Sequence, residues 1–418
     1  MLSATTTRPS TFAPFRVRSF RFQWPADLAT SWAFEMETLI LGWYILVETR
    51  SVLLLTIFAS LQYIGTLLAP MFGVMADRRG HRNVLCAMRI IYATLATTMM
   101  TLAFMHVLTP VHVFAIAGLM GLVRPSDMGM RAALVGMTMP ATQLMSAMSI
   151  QRTTQDSAKI AGALTGAALV ALLGMAPAYV AVAALYATSV FLTLKAGSGA
   201  RAPQVKVMAS TSPWRDLKEG AKYVWATPHL RAVMLLAFML NATAFPLFNA
   251  LQPYVAKEVF LTDQRGLGFL VAGGALGALA GALVISRHGG AFRPARMMLA
   301  GCMLWYAFML VYAYMPNFQA GWLVLFLAGI AHSTSQVPMS ALLLRSVNER
   351  FRGRVMGIRM LMIYGNVPGL LLAGELIRNI GYAYTATLYC LFGMGVAGLI
   401  ALHWRSHLWN RDAPVNTR

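Results

Sequence analysis

Charge is scarce in this chain, and negative charge is scarcer still. Of 418 residues, 11% are charged and 58% are apolar, with 14 acidic side chains against 34 Lys and Arg. A soluble domain carries roughly 25% charged residues. At half that density there is too little polar surface to cover a water-soluble particle of this length. Soluble enzymes, disordered scaffolds and nucleic-acid readers are excluded, and the chain reads as an integral membrane protein.

Cysteine is almost missing. Cys86, Cys302 and Cys390 stand far apart in apolar runs with no CxxC pair, so no disulfide framework or zinc site is indicated. The HExxH, GxGD and GxSxG patterns are absent, and the eight histidines do not cluster with acids or cysteines. No metal, no cofactor and no enzymatic activity are expected. The first residues, MLSATTTRPSTFAPFRVRSFRFQ, lack an apolar signal-peptide core and read as a basic tail.

Apolar runs dominate instead. A helix needs about 20 such residues to cross the hydrocarbon core. About twelve runs qualify, at 26–47, 52–74, 83–105, 111–134, 147–172, 177–195, 230–253, 266–286, 295–314, 320–344, 355–378 and 383–404. Their continuity excludes a β-barrel, whose strands alternate over about ten residues. With the N-terminus inside, 26 of the 34 basic residues fall on cytoplasmic segments and four (Arg50, Lys257, Arg265, Arg378) fall outside. Both termini are therefore expected in the cytoplasm of a bacterial-type inner membrane. The excess of positive charge follows from orientation, with no nucleic-acid partner.

The expected organisation is a tail (1–25), six spans (26–195), a linker (196–229), six more spans (230–404) and a second tail (405–418). The linker begins small and polar. It then places Trp214, Leu217, Ala221, Val224 and Trp225 on one rough helical face, as an interfacial helix would. GVMADRRG (73–80) has a worn counterpart in ALVISRHG (282–289), and the step Ile150 to Gly166 recurs as Ile358 to Gly374. The two matches share an offset near 208 residues, so the halves read as a duplication.

Gly73-Val74-Met75-Ala76-Asp77-Arg78-Arg79-Gly80-His81-Arg82 resembles the G-x-x-x-D-R-x-G-R-R loop of the major facilitator superfamily. LGWYILVETRSVLLL (41–55), DLKEGAKYVWATPHLRAVML (216–235) and NERFRGRVMGI (348–358) are similar to its bacterial exporters of enterobactin-type siderophores, macrolides and drugs. The resemblance implies an all-α membrane protein of twelve helices in two pseudo-symmetric bundles. It also implies a latch of Gly73, Asp77, Arg78, Gly80, Arg82, Gly353 and Arg354. In that latch Asp77 docks at a helix start near Gly353, where backbone N–H groups favour an anion. It holds the outward-facing state and breaks for inward opening. The sequence departs from the family in His81 and in Gly162-Ala163-Leu164-Thr165-Gly166, where many antiporters carry Gly-Pro.

Charges within spans cost about 2.5–3.5 kcal/mol each and mark function or pairing. Glu35 and Glu37 are two residues apart and cannot share a helical face. One is expected to face a cavity and the other to pack within the bundle. Arg124, Asp127 and Arg131 form one stripe, and Arg152, Asp156 and Lys159 another, each able to face a central cavity or the other. Two readings stay open: a proton-coupling network with Glu37 and Asp156 foremost, or mutually neutralised structural pairs.

The second half places neutral polar and aromatic residues in its spans instead. Asn241, Phe245, Asn249, Gln252, His332, Gln336, Tyr364 and Asn366, with Trp32 from the first half, are the candidate substrate-cavity residues. The leading expectation is a monomeric secondary transporter that exports an amphipathic small molecule against a proton or sodium gradient. The alternatives are an importer or facilitator of a small nutrient and, more remotely, a membrane sensor.

Overall fold

The computed structural model describes residues 12–197, 213–288, 293–348 and 351–409. Most of the polar first part of the linker, the outermost tail residues and Gly289 of the internal repeat lie outside this description. All regular structure among the described residues is helical. In chain order the first half holds α1 (Arg18–Thr49), α2 (Val52–Leu61), α3 (Ala69–Arg79), α4 (His81–Phe104), α5 (Pro110–Thr138), α6 (Ala141–Leu173) and α7 (Met175–Lys195). The linker supplies α8 (Pro213–Ala226). There follow α9 (Pro228–Phe245), α10 (Gln252–Tyr254), α11 (Gln264–His288), α12 (Pro294–Tyr312) and α13 (Phe318–Ser346). The chain closes with α14 (Arg352–Leu361), α15 (Asn366–Ile380), α16 (Tyr382–His403) and α17 (Arg405–Trp409).

Nine of the described helices are long and apolar enough to cross a membrane, or ten with α2 and α3 counted as one broken span. The remaining two expected spans are α1 and α5. Both are long enough, but α1 carries Asp27, Glu35 and Glu37 and α5 carries Arg124, Asp127 and Arg131, which dilute their hydropathy. The first span also begins at Arg18 rather than 26, because the amphipathic residues ahead of Pro25 continue its first turns.

Tight reversals connect the helices. Gly80, Gly174 and Gly381 take φ of 88°, 86° and 84°, a region that side chains with a Cβ avoid. Three spans are broken rather than continuous. The second passes through a 3-10 turn at Ile64–Leu68, the seventh through π turns at Pro246–Ala250 and Val255–Val259, and the eleventh through a 3-10 turn at Met362–Gly365. Pro246 and Pro253 remove backbone donors from the seventh, which accounts for its wide turns.

Buried apolar side chains form two main cores, one from residues 33–186 and one drawn mostly from 224–408. Between them α6 packs on α11, and α2 packs on α15. The repeat offset carries α2 onto the start of α11 and α6 onto α14–α15, so each contact is the image of the other. Glycines permit the closest approaches. A Cβ on Gly277 would lie 1.9 Å from the Phe326 carbonyl oxygen, and one on Gly329 would lie 2.2 Å from that of Gly274. Gly277→Val is therefore expected to force α11 and α13 apart and destabilise the bundle by about 3 kcal/mol or more. Thermal unfolding in detergent checks this, with Gly118→Ala, which meets open space, as the neutral control.

Candidate functional site

The halves touch at one end of the bundle and part at the other. At the end opposite the chain termini, a Cβ on Gly374 would lie 3.1 Å from Leu53 Cα, and one on Gly268 would lie 2.5 Å from Ala167 Cβ. Midway along, Tyr364 Oη donates to the Ile64 carbonyl (3.0 Å) and accepts from Leu67 N–H (2.9 Å). That contact joins the breaks of the second and eleventh spans. At the terminal end α3 and α14 do not pack on one another as α2 and α15 do, and a Cβ on Gly73, Gly353 or Gly357 would meet nothing within 4 Å among the described residues.

The latch residues are therefore undocked. Asp77 is 70% exposed, and its ion-pair partner among the described residues is His81, at 3.9 Å. Arg78 and Gly80 are exposed on the same rim, while Arg82 Nη1 donates to the Ala196 carbonyl at 3.3 Å. The start of α14 is occupied by the linker helix instead. Arg354 pairs with Glu219 at 3.0 Å, Gly220 lies against Arg354 and Ile358, and the Tyr223 and Phe351 rings stack at 4.5 Å. Of the side chains expected on one face of the linker helix, Ala221, Val224 and Trp225 fall among those described, and Val224 departs from that face. Gly220 and Val224 turn inward, whereas Ala221 and Trp225 are exposed.

The charged stripes separate, contrary to the expectation that both face a central cavity or each other. Arg131 pairs with Asp127 on its own helix and with Asp27 of α1 at 3.8 Å. Asp27 in turn holds Arg89 of α4, whose guanidinium also reaches Thr193. Gln151 donates to Asp27 (3.2 Å) and Arg131 donates to Ser31 (2.7 Å). The result is a buried, formally neutral quartet of two acids and two bases inside the first half. Asp27 and Arg89 are absent from the sequence candidates. Arg89, one of the 26 basic residues that the topology assigns to cytoplasmic segments, is 0% exposed. The usable signal is that both residues fall inside apolar runs, Asp27 in 26–47 and Arg89 in 83–105.

Arg152, Asp156 and Lys159 point elsewhere. Arg152 is 68% exposed and pairs with Asp156 at 3.3 Å. Lys159 reaches across to the second half and donates to Asn249 Oδ1 at 2.7 Å. Arg124 donates to Thr38 (3.0 Å) and Gln62 (2.9 Å) and lies over the Phe34 ring.

The two glutamates of α1 diverge as their spacing requires. Glu35 is half-buried beside α6, where a Cβ on Gly162 would lie 2.6 Å from its own Cβ. Glu37 is 4% exposed in the first-half core. Tyr186 Oη donates to its Oε2 at 2.9 Å and Tyr179 Oη to its Oε1 at 3.5 Å. Among the described residues no cation lies within 4 Å of this carboxylate, which distinguishes it from the neutralised quartet.

The neutral residues divide in the same way. Gln252 is buried and both ends of its amide are engaged, by Tyr312 (2.8 Å) and the Leu247 carbonyl (2.9 Å), so it does not serve the cavity. Asn366 donates to Asn241 at 2.8 Å and Trp32 donates to Thr165 at 2.8 Å. Phe245, Phe248, Trp305 and His332 gather into one aromatic cluster, with Gln336 one turn further along α13. Among the described residues no three His, Cys, Asp or Glu side chains come together as a metal site.

Comparison with known proteins places this architecture. The model of the Major Facilitator Superfamily matches residues 28–365 and 234–415. The chain belongs to that superfamily. It is a multi-pass membrane protein, a secondary transporter and not an enzyme. The multidrug efflux pump Tap of Mycolicibacterium fortuitum is 26% identical over 359 residues, covering 81% of this chain and 84% of that one. The crystal structure of the POT family transporter PepTSo superposes with a TM-score of 0.72 at 14% identity, over 94% of this chain and 99% of that one. A bacterial homologue of the human lysosomal transporter Spinster, inward-facing and unoccupied, gives 0.68 at 14% identity, over 96% and 95%. These last two likenesses speak for the superfamily fold.

Proposed function

We propose that this superfamily member is a proton-coupled exporter of an amphipathic small molecule, resident in a bacterial inner membrane with both termini in the cytoplasm. The observation that carries the coupling is Glu37, a buried carboxylate held by two tyrosines and lacking a cationic partner among the described residues. Such a group exchanges a proton where a paired one resists it. The relationship to the efflux pump Tap supports the outward direction and a drug-like cargo.

On this topology the open end faces the cytoplasm, so the structure corresponds to the cargo-loading state. Asp77, Gly73 and Gly353 are then latch elements awaiting closure. Glu219 holds Arg354 until Asp77 approaches the start of α14. Rocking of the halves about the Tyr364 contact exchanges the two closures.

Everted vesicles energised with a proton gradient test the reading, with uptake of fluorescent drugs expected and collapsed by a protonophore. Drug uptake that ignores the gradient would overturn it. A second expected result concerns the latch. Cysteines at 73 and 353, joined by a short crosslinker, arrest transport by trapping the alternative state. The pair resists crosslinking in the conformation described here and reacts after a gradient is applied.

A further inference from the structure

We propose that the cleft contains a recognition site for organic anions, with Lys159 taking the cargo's negative group and the Phe248–His332 face taking its ring. The proposal rests on the transporter reading above and names the chemical class of its cargo.

The first observation is an unneutralised cation. Lys159 sits on α6 where no carboxylate of the described residues lies within 4 Å, and it donates to the neutral amide oxygen of Asn249 at 2.7 Å. A partly buried ammonium that has only a neutral acceptor gains from an anion at the same place. Its surroundings add positive charge. Arg152, exposed on the same helix, acts electrostatically on both His332 and Arg359. Asp156 offsets Arg152, and Glu35 packs against Gly162, one turn along α6 from Lys159, without coming within 4 Å of its ammonium.

The second observation is independent of charge. Beside Lys159 the His332 ring stacks on Phe248 at 5.5 Å with 20° between planes, and Trp305 lies 4.7 Å from it. His332 Nδ1 and Trp305 Nε1 are buried without a hydrogen-bond partner, and Trp305 is 0% exposed. Unpaired buried nitrogens of this kind are rare and costly. Trp305 is closed off from the cleft, and it is the partly exposed His332 that can offer its ring nitrogen to a polar atom on the cargo's ring.

Geometry links these features to transport. Lys159 belongs to the first half and the aromatic cluster to the second. The pocket enclosed between Lys159, Phe248, Asn249 and Gly274 is about 20 Å³, room for a single water. A cargo must therefore displace the Lys159–Asn249 bond and bridge the halves itself. Binding energy is thus delivered to the contact that changes during rocking.

The test compares two dyes that share one tricyclic ring system, anionic fluorescein and a cationic rhodamine ester. Each is titrated by fluorescence anisotropy against the detergent-purified full chain at fixed ionic strength. Fluorescein is expected to bind at least about tenfold tighter, and Lys159→Gln to weaken it about tenfold, the size of one charge-assisted bond, with the rhodamine ester unaffected. Asn249→Asp keeps the pocket's shape, neutralises Lys159 internally and is expected to give the same loss. Equal or preferential binding of the cation, no binding of either dye, or fluorescein affinity untouched in both variants overturns the proposal. No gradient is involved, so anion binding without proton-driven flux would sink the exporter reading and leave this site standing.

Discussion

Glu37→Gln is expected to abolish proton-driven transport, by about a hundredfold or more, while leaving the protein folded. Loss of a positioned proton-transfer group costs roughly 10²–10⁴ in rate, and an amide of the same shape still accepts from Tyr186. The side chain is buried with its carboxylate engaged by Tyr186 and Tyr179. Substituting an amide therefore removes the titration and little else. Exchange of cargo down its own gradient is expected to survive, which separates lost coupling from lost binding. Asp156→Asn serves as the contrast. Its partner Arg152 is mostly solvated, and an exposed pair contributes about 0–1 kcal/mol. Gradient-dependent uptake in everted vesicles at wild-type rate for Glu37→Gln would remove this residue from coupling and return attention to Asp156.

The second large effect belongs to stability. Arg89→Ala is expected to cost about 3–5 kcal/mol, because removal of one member of a buried pair strands the other. Arg89 binds Asp27 and Thr193, and without it Asp27 keeps Arg131 at 3.8 Å and Gln151 at 3.2 Å. The quartet joins α1, α4 and α5, so the damage spreads across the first bundle. Thermal unfolding in detergent reads the loss directly. Arg89→Gln combined with Asp27→Asn, which replaces both charges by neutral hydrogen-bonding groups, is expected to recover part of it. A double-mutant cycle then isolates the coupling. An unchanged melting temperature for Arg89→Ala would show that the quartet does not hold the helices together.

These expectations assign separate tasks to groups that look alike along the chain. Glu37 and Asp27 are both acids on α1, ten residues apart, and both are buried. What distinguishes them is the company each keeps. Asp27 meets two arginines from other helices, and Glu37 meets two tyrosines of α7. The same holds among the bases. Arg131 is neutralised within the first half, whereas Lys159 crosses to Asn249 of the second.

Much of the architecture is legible without coordinates, because crossing a bilayer imposes a local requirement. Twenty apolar residues in a row, basic loops on alternate sides and a repeat offset near 208 residues are all properties of one stretch at a time. The divergence of Glu35 and Glu37 follows from helical period alone, though not which of the two enters the core. The tertiary structure alone decided which charges meet. Arg89 finds Asp27 across 62 positions, Lys159 finds Asn249 across 90, and Tyr364 finds Ile64 across 300. No periodicity along the chain encodes such encounters. They depend on how helices rotate about their axes and pack, and packing is settled by all the spans together.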